Sequence, residues 1–106
     1  MNRLAALEQI ITLGGDLNNA YSALLSHGID GNAEVFIVTP AMLDHALTQY
    51  LQGHISADDL GDWADFIECR DDVDYSQIEG FIYALTNPDL MGEITKATMT
   101  RMQILL

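Results

Sequence analysis

The stretch Ser56-Ala57-Asp58-Asp59-Leu60-Gly61-Asp62-Trp63-Ala64-Asp65-Phe66-Ile67-Glu68 carries the clearest helix signature of this chain and much of its charge. Ser56 and Asp59 stand at capping-box spacing, so the serine hydroxyl can accept from the Asp59 N–H while the Asp59 carboxylate accepts from the serine N–H. Leu60, Trp63, Ala64 and Ile67 follow at helical spacing and predict a buried face. Asp58, Asp62, Asp65 and Glu68 fall at i+4, i+3 and i+3 on the opposite face. Like charges at those spacings cost about 0.2–0.5 kcal/mol per pair, which is small beside the burial of Leu60, Trp63 and Ile67 at about 1.5–3 kcal/mol each. The helix is expected to form in spite of its charge.

The same signals extend in both directions. Residues 3–13 carry Leu4, Leu7, Ile10 and Ile11 and stop at Gly14-Gly15; Asp16 then offers an N-cap to a stripe of Leu17, Ala20, Tyr21, Leu24 and Leu25 that ends near His27 and Gly28. Ile29-Asp30-Gly31-Asn32 reads as a loop. Residues 34–39 are β-branched and aromatic and predict a short extended segment, for which the chain shows no obvious partner strand. Thr39-Pro40 restarts a helix with Leu43, Ala46, Leu47, Tyr50 and Leu51 inward, ended by Gly53. Ser76-Gln77-Ile78-Glu79 has the spacing of a second capping box, ahead of Phe81, Ile82 and Leu85, and Asn87-Pro88 closes that helix. A last helix over 93–105 would use Ile94, Ala97 or Thr98, Met102 and Leu105. The expected fold is all-α: one globular domain over residues 1–106, a bundle of about six helices with one extended segment near 34–39.

The 106 residues include 16 Asp and Glu against 4 Lys and Arg, a formal net charge of −12, yet 49% are hydrophobic. That apolar fraction separates the chain from acidic disordered segments, and at this length about two-thirds of the unfolded surface can be buried. With only Arg3, Arg70, Lys96 and Arg101 as cations, direct binding to nucleic acid or to an anionic membrane is disfavoured. The single cysteine, Cys69, cannot form an internal disulfide, no apolar run approaches the roughly 20 residues of a spanning helix, and the N-terminus is unlike a secretory signal, so a cytoplasmic location is expected.

The charge is concentrated. Asp58, Asp59, Asp62, Asp65, Glu68, Asp71, Asp72, Asp74 and Glu79 face one cation, Arg70, so residues 58–79 hold −8 of the −12. A surface built for solubility alone mixes signs, whereas single-sign charge steers a basic partner. Tyr75, within the acidic turn, offers either a hot-spot contact for a partner or a pin holding the turn to the core. The partner-binding candidates are Asp58, Asp62, Asp65, Glu68, Asp71, Asp72, Asp74, Tyr75 and Glu79.

Other chemistries fit poorly. Asp72, Asp74 and Ser76 match the first three ligand positions of an EF-hand loop, but Gln77 stands where glycine is needed and Tyr83 where the bidentate glutamate belongs, leaving only a weak cation site in the 71–79 turn as an alternative. His27, His45 and His54 fall in three different elements, Cys69 has no sequence-local base, and there is no HExxH, phosphate-binding glycine loop or Asp-Ser-Leu carrier motif. No catalytic residue, metal site or cofactor is expected, and the chain reads as a binding protein.

Val38-Thr39-Pro40-Ala41-Met42-Leu43, Tyr50-Leu51-Gln52-Gly53-His54-Ile55-Ser56, Leu60-Gly61-Asp62-Trp63-Ala64, Glu68-Cys69-Arg70-Asp71-Asp72 and Ala84-Leu85-Thr86-Asn87-Pro88 resemble small helical bacterial immunity proteins of contact-dependent growth inhibition and other polymorphic toxin systems. The resemblance spans about two-thirds of the chain and rests on helix boundaries and core positions. It implies a cytoplasmic protein that binds one cognate toxin domain and blocks it, commonly by covering its active site, and a monomer forming a 1:1 heterodimer with that domain is expected. Many such toxins are nucleases with basic clefts, which a dense carboxylate face would occupy in place of phosphates. The alternative is an acidic regulatory or adaptor module, including a nucleic-acid mimic acting on a basic protein.

Overall fold

Polar side chains set where the helices begin, and in the computed structural model, which describes residues 1–26 and 34–106, four of them do so directly. Asn2 Oδ1 accepts from the Ala5 N–H at 2.8 Å and opens α1 (Arg3–Ile11). Thr39 caps α3 (Pro40–Leu51), with Pro40 at its first position. The Ser56–Asp59 box forms as expected at α4 (Ala57–Glu68), with reciprocal bonds of 3.0 and 2.9 Å. Thr95 and Thr98 form a further box at α7 (Lys96–Leu105).

Two expected caps do not form. Asp16 precedes α2 (Leu17–Ser26), but its carboxylate accepts from the Asn19 side chain at 2.8 Å instead of a backbone N–H. Ser76-Gln77-Ile78 makes a 3₁₀ turn without a side-chain cap, because both the hydroxyl and the N–H of Ser76 turn back to the Asp74 carboxylate. From that turn the chain runs into α5 (Glu79–Thr86). Pro88, expected only to close this helix, takes the first position of one more short helix, α6 (Pro88–Met91). The described residues thus hold seven α-helices rather than about six. The stop at His27 and Gly28 and the loop at 29–32 lie outside the described residues.

The extended segment is shorter than expected and has a partner. β1 (Phe36–Ile37) pairs in parallel with β2 (Val73–Asp74), Phe36 opposite Val73 and Ile37 opposite Asp74. Nothing local announces β2, since it is two residues long and lies within the acidic turn. It forms because buried Val73 completes the core below it. The Phe36 N–H donates to the Asp72 carbonyl and the Val38 N–H to that of Asp74, both at 2.9 Å.

The main core gathers Leu7 and Ile11 of α1, Val38, Leu43 and Leu47, the α4 stripe Leu60, Trp63, Ala64 and Ile67, and Ile78, Ile82 and Leu85. Trp63 fixes α4 against α1, its Nε1–H donating at 2.9 Å to the carbonyl of Ile11. That carbonyl belongs to the last turn of α1 and has no helical partner of its own, so one bond satisfies two buried groups. On α7 the inward residues are Met99 and Met102, while Ala97 and Leu105 are exposed, which corrects the expected stripe. Gln103 holds that rotation, donating to Thr48 Oγ1 at 2.9 Å and Asp44 Oδ1 at 3.1 Å on α3. On α2 only Ala20 is buried; Tyr21 and Leu25 are exposed, because α2 packs chiefly on α1 through Ala6 and Ile10. Among the described residues no helix is long and apolar enough to cross a membrane.

Candidate partner-binding surface

Because Leu60, Trp63, Ala64 and Ile67 must face the core, the 3.6-residue repeat turns Asp58, Asp62, Asp65 and Glu68 outward, and all four are exposed. The first three do not project into open solvent alone. They line one wall of an open groove of about 520 Å³ whose far side is built by Leu85, Thr86, Pro88, Glu93 and Ile94. Four carboxylates and no cation line this groove. Gly61 forms part of its floor, and a β-carbon there would sit 3.8 Å from the Ile94 side chain, an ordinary contact.

Glu68 marks the end of that wall. Its Oε2 accepts from the Thr86 hydroxyl at 2.8 Å, tying the last turn of α4 to the last turn of α5. Beyond it Glu68, Tyr75, Glu79, Tyr83 and Met91 line a second depression. Tyr75 is half-buried against the core, as the reading of a pin for the turn expects, and it also lines this depression. Asp71 and Asp74 are exposed, and neither lines either depression. Asp74 is tied into its own turn, and the Ser76 hydroxyl and N–H hold its carboxyl below the usual range.

Asp72 departs from expectation. Read as a surface carboxylate, it is instead buried, with 3% of its surface exposed. Arg70 grips it with two bonds, Nε to Oδ1 at 2.7 Å and an Nη to Oδ2 at 2.9 Å, and Arg3 reaches Oδ2 from α1 at 3.0 Å. Arg3 also donates to the Glu34 carbonyl at 2.7 Å, and the Arg70 guanidinium lies 5.6 Å from the centre of the Phe66 ring. The Arg70 hydrogen bonds above all, and then those of Arg3, hold the Asp72 carboxyl below its ordinary value against the opposing effect of burial. Asp72 therefore joins α1, β1 and β2 from inside, and it cannot meet a partner's surface. It is also unavailable to a cation, which removes the first ligand of the weak EF-hand-like alternative.

This clamp sharpens the rest of the surface. Two of the chain's four cations are held on one buried carboxylate, which leaves fifteen Asp and Glu with Lys96 and Arg101 for the remainder of the chain. Asp59 is exposed and engaged in the Ser56 cap, whose N–H and hydroxyl hold its carboxyl below the usual range. Asp62 lies close enough to Tyr21 to add to the effect of burial in raising the phenol's pKa.

Three residues of the surface have no sequence signal. Glu93 and Met91 reach it through the α5–α6–α7 connection, beyond the acidic segment, and Tyr83 from α5, four residues after Glu79. His45 and Cys69 are exposed, and His54 contacts the Gln49 side chain at 2.9 Å. Among the described residues no three His, Cys, Asp or Glu side chains group closely enough to hold a metal ion. Compared with protein-family models, with curated proteins and with solved structures, the chain finds no match.

Proposed function

We propose that this chain is an immunity protein that binds a cognate bacterial toxin domain with a basic, nuclease-like cleft and neutralises it by filling that cleft with carboxylates. The observation that carries this reading is the groove in which Asp58, Asp62, Asp65 and Glu93 meet without a cation. Carboxylates held along a helix wall present a row of negative charge to a surface shaped for phosphates, and they raise the encounter rate before contact. The resemblance of the chain from Val38 onward to immunity proteins supports the same reading. In this reading the chain acts in the cytoplasm, without catalysis or cofactor, as one half of a 1:1 complex.

The test is co-expression with the toxin domain encoded immediately upstream, scored by cell survival and by recovery of a stoichiometric complex. Protection with a complex whose association slows as salt rises is the expected result. Absence of both complex and protection would overturn the reading, and an upstream transcription regulator that binds the chain would favour the acidic regulatory module instead.

A further inference from the structure

Beside the acidic groove runs an apolar one. Phe81 and Ala84 of α5, Met91 of α6 and Met99, Met102 and Leu105 of α7 line a pocket of about 250 Å³. Three of the chain's five methionines are here. Met91 is exposed while Met99 and Met102 are buried at the pocket's base, and methionine, unbranched and polarisable, adapts to the shape of whatever packs on it. Met91 and Leu105 are 56% and 75% exposed, an arrangement that leaves apolar surface in water unless something covers it.

The surroundings indicate what covers it. Leu85 and Ile94 line this pocket and also the groove of Asp58, Asp62, Asp65 and Glu93. Met91 lines it and also the depression holding Glu68 and Glu79. The apolar pocket therefore opens at two places onto carboxylates, while its single cation, Arg101, stands on the α7 wall. A ligand matching this pattern has apolar anchors flanked by positive charge, with its cations directed away from α7.

We infer that the groove between α5 and α7 is the docking site for a basic amphipathic helix of the partner, apolar residues at i, i+3, i+4 and i+7 seated on Phe81, Met91 and Leu105 over the buried Met99 and Met102, and its Lys or Arg residues over the two acidic depressions. A helix laid into the groove between two others fills it by the same ridge-and-groove packing that holds bundles together. The inference rests on the reading that the acidic surface meets a basic protein, and it names the element by which that protein is held.

The experiment uses the full chain labelled with ¹³C at its methionine methyls. The probe is a synthetic helical peptide of about 18 residues, five turns, with leucine at the anchor positions and lysine elsewhere. The methyl signals of Met91, Met99 and Met102 are expected to shift while that of Met42 stays in place. A peptide with glutamate for lysine is expected to bind about tenfold more weakly or worse, and the double variant Met91→Lys, Leu105→Lys, which changes only exposed positions, to lose about tenfold in affinity. Equal binding of the two peptides, shifts centred on Met42, or unchanged affinity in a folded double variant would overturn the inference. So would the same methyl shifts on raising protein concentration alone, since the occupant would then be a second copy of the chain. The two readings fail separately: toxin protection retained by a double variant that no longer binds the peptide removes the groove and keeps the inhibitor, and peptide binding without toxin protection does the reverse.

Discussion

Asp65 and Asp72 lie seven residues apart in one acidic segment, and the fold treats them in opposite ways. Asp65 stays exposed on α4 beside Asp58 and Asp62, repelled by its neighbours and facing a groove without cations. Asp72 is buried and held by two guanidiniums, one of them 69 positions away. The difference is a matter of desolvation. A carboxylate can leave water only if paired charge and hydrogen bonds replace its hydration, and two of the chain's four cations are already committed to Asp72.

Removing that pairing should give the largest effect. Asp72→Asn leaves two guanidiniums facing each other without an anion and is expected to cost about 3 kcal/mol, the low end for breaking a buried pair because both arginines reach the surface in part. Urea unfolding at neutral pH measures it, and a loss within experimental error would mean that Asp72 behaves like Asp65. The pH dependence has a definite sign. With its folded pKa depressed, Asp72 contributes fully above the unfolded value of about 3.9, and the contribution is lost as pH falls through the folded value. The gap in stability between wild type and Asp72→Asn should therefore narrow as the pH is taken below about 4, and a gap that widens in acid would contradict the clamp.

The exposed side of the comparison is tested by kinetics. The triple replacement of Asp58, Asp62 and Asp65 by asparagine should slow association with a basic toxin domain about tenfold at low salt. The difference should shrink as screening shortens to about 8 Å at physiological ionic strength. Unchanged association would make the groove wall a solvated surface and move the search for an interface to exposed Val35 and Ile37 beside β1. Smaller still is the local cap: Ser56→Ala should cost about 1 kcal/mol, because the Asp59 N–H loses its acceptor while the Asp59 carboxylate keeps the backbone N–H of residue 56. The triple asparagine variant should itself change stability by no more than a few tenths of a kcal/mol, in the stabilising direction, as i+3 and i+4 repulsion is relieved. A loss above about 1 kcal/mol in that variant would show these carboxylates to be structural after all.

What the sequence by itself determined is whatever depends on neighbours within about one helical turn. The Ser56–Asp59 box, the Thr39–Pro40 start and the α4 stripe were legible because capping and amphipathic burial are written in i+3 and i+4 spacings. The outward turn of Asp58, Asp62, Asp65 and Glu68 followed from the same repeat. Only the tertiary structure decided the rest. Ser76 did not cap because its hydroxyl as well as its N–H turns back to Asp74, and α7 settled on Met99 and Met102 because Gln103 met α3. Glu93 reached the carboxylate groove only through the packing of α4, α5 and the segment before α7, and β2 acquired a partner from a segment 37 positions earlier in the chain. Asp72 left the surface for the same reason: whether a charge is buried depends on which cation arrives beside it, and Arg3 arrives only when α1 closes on the strand pair.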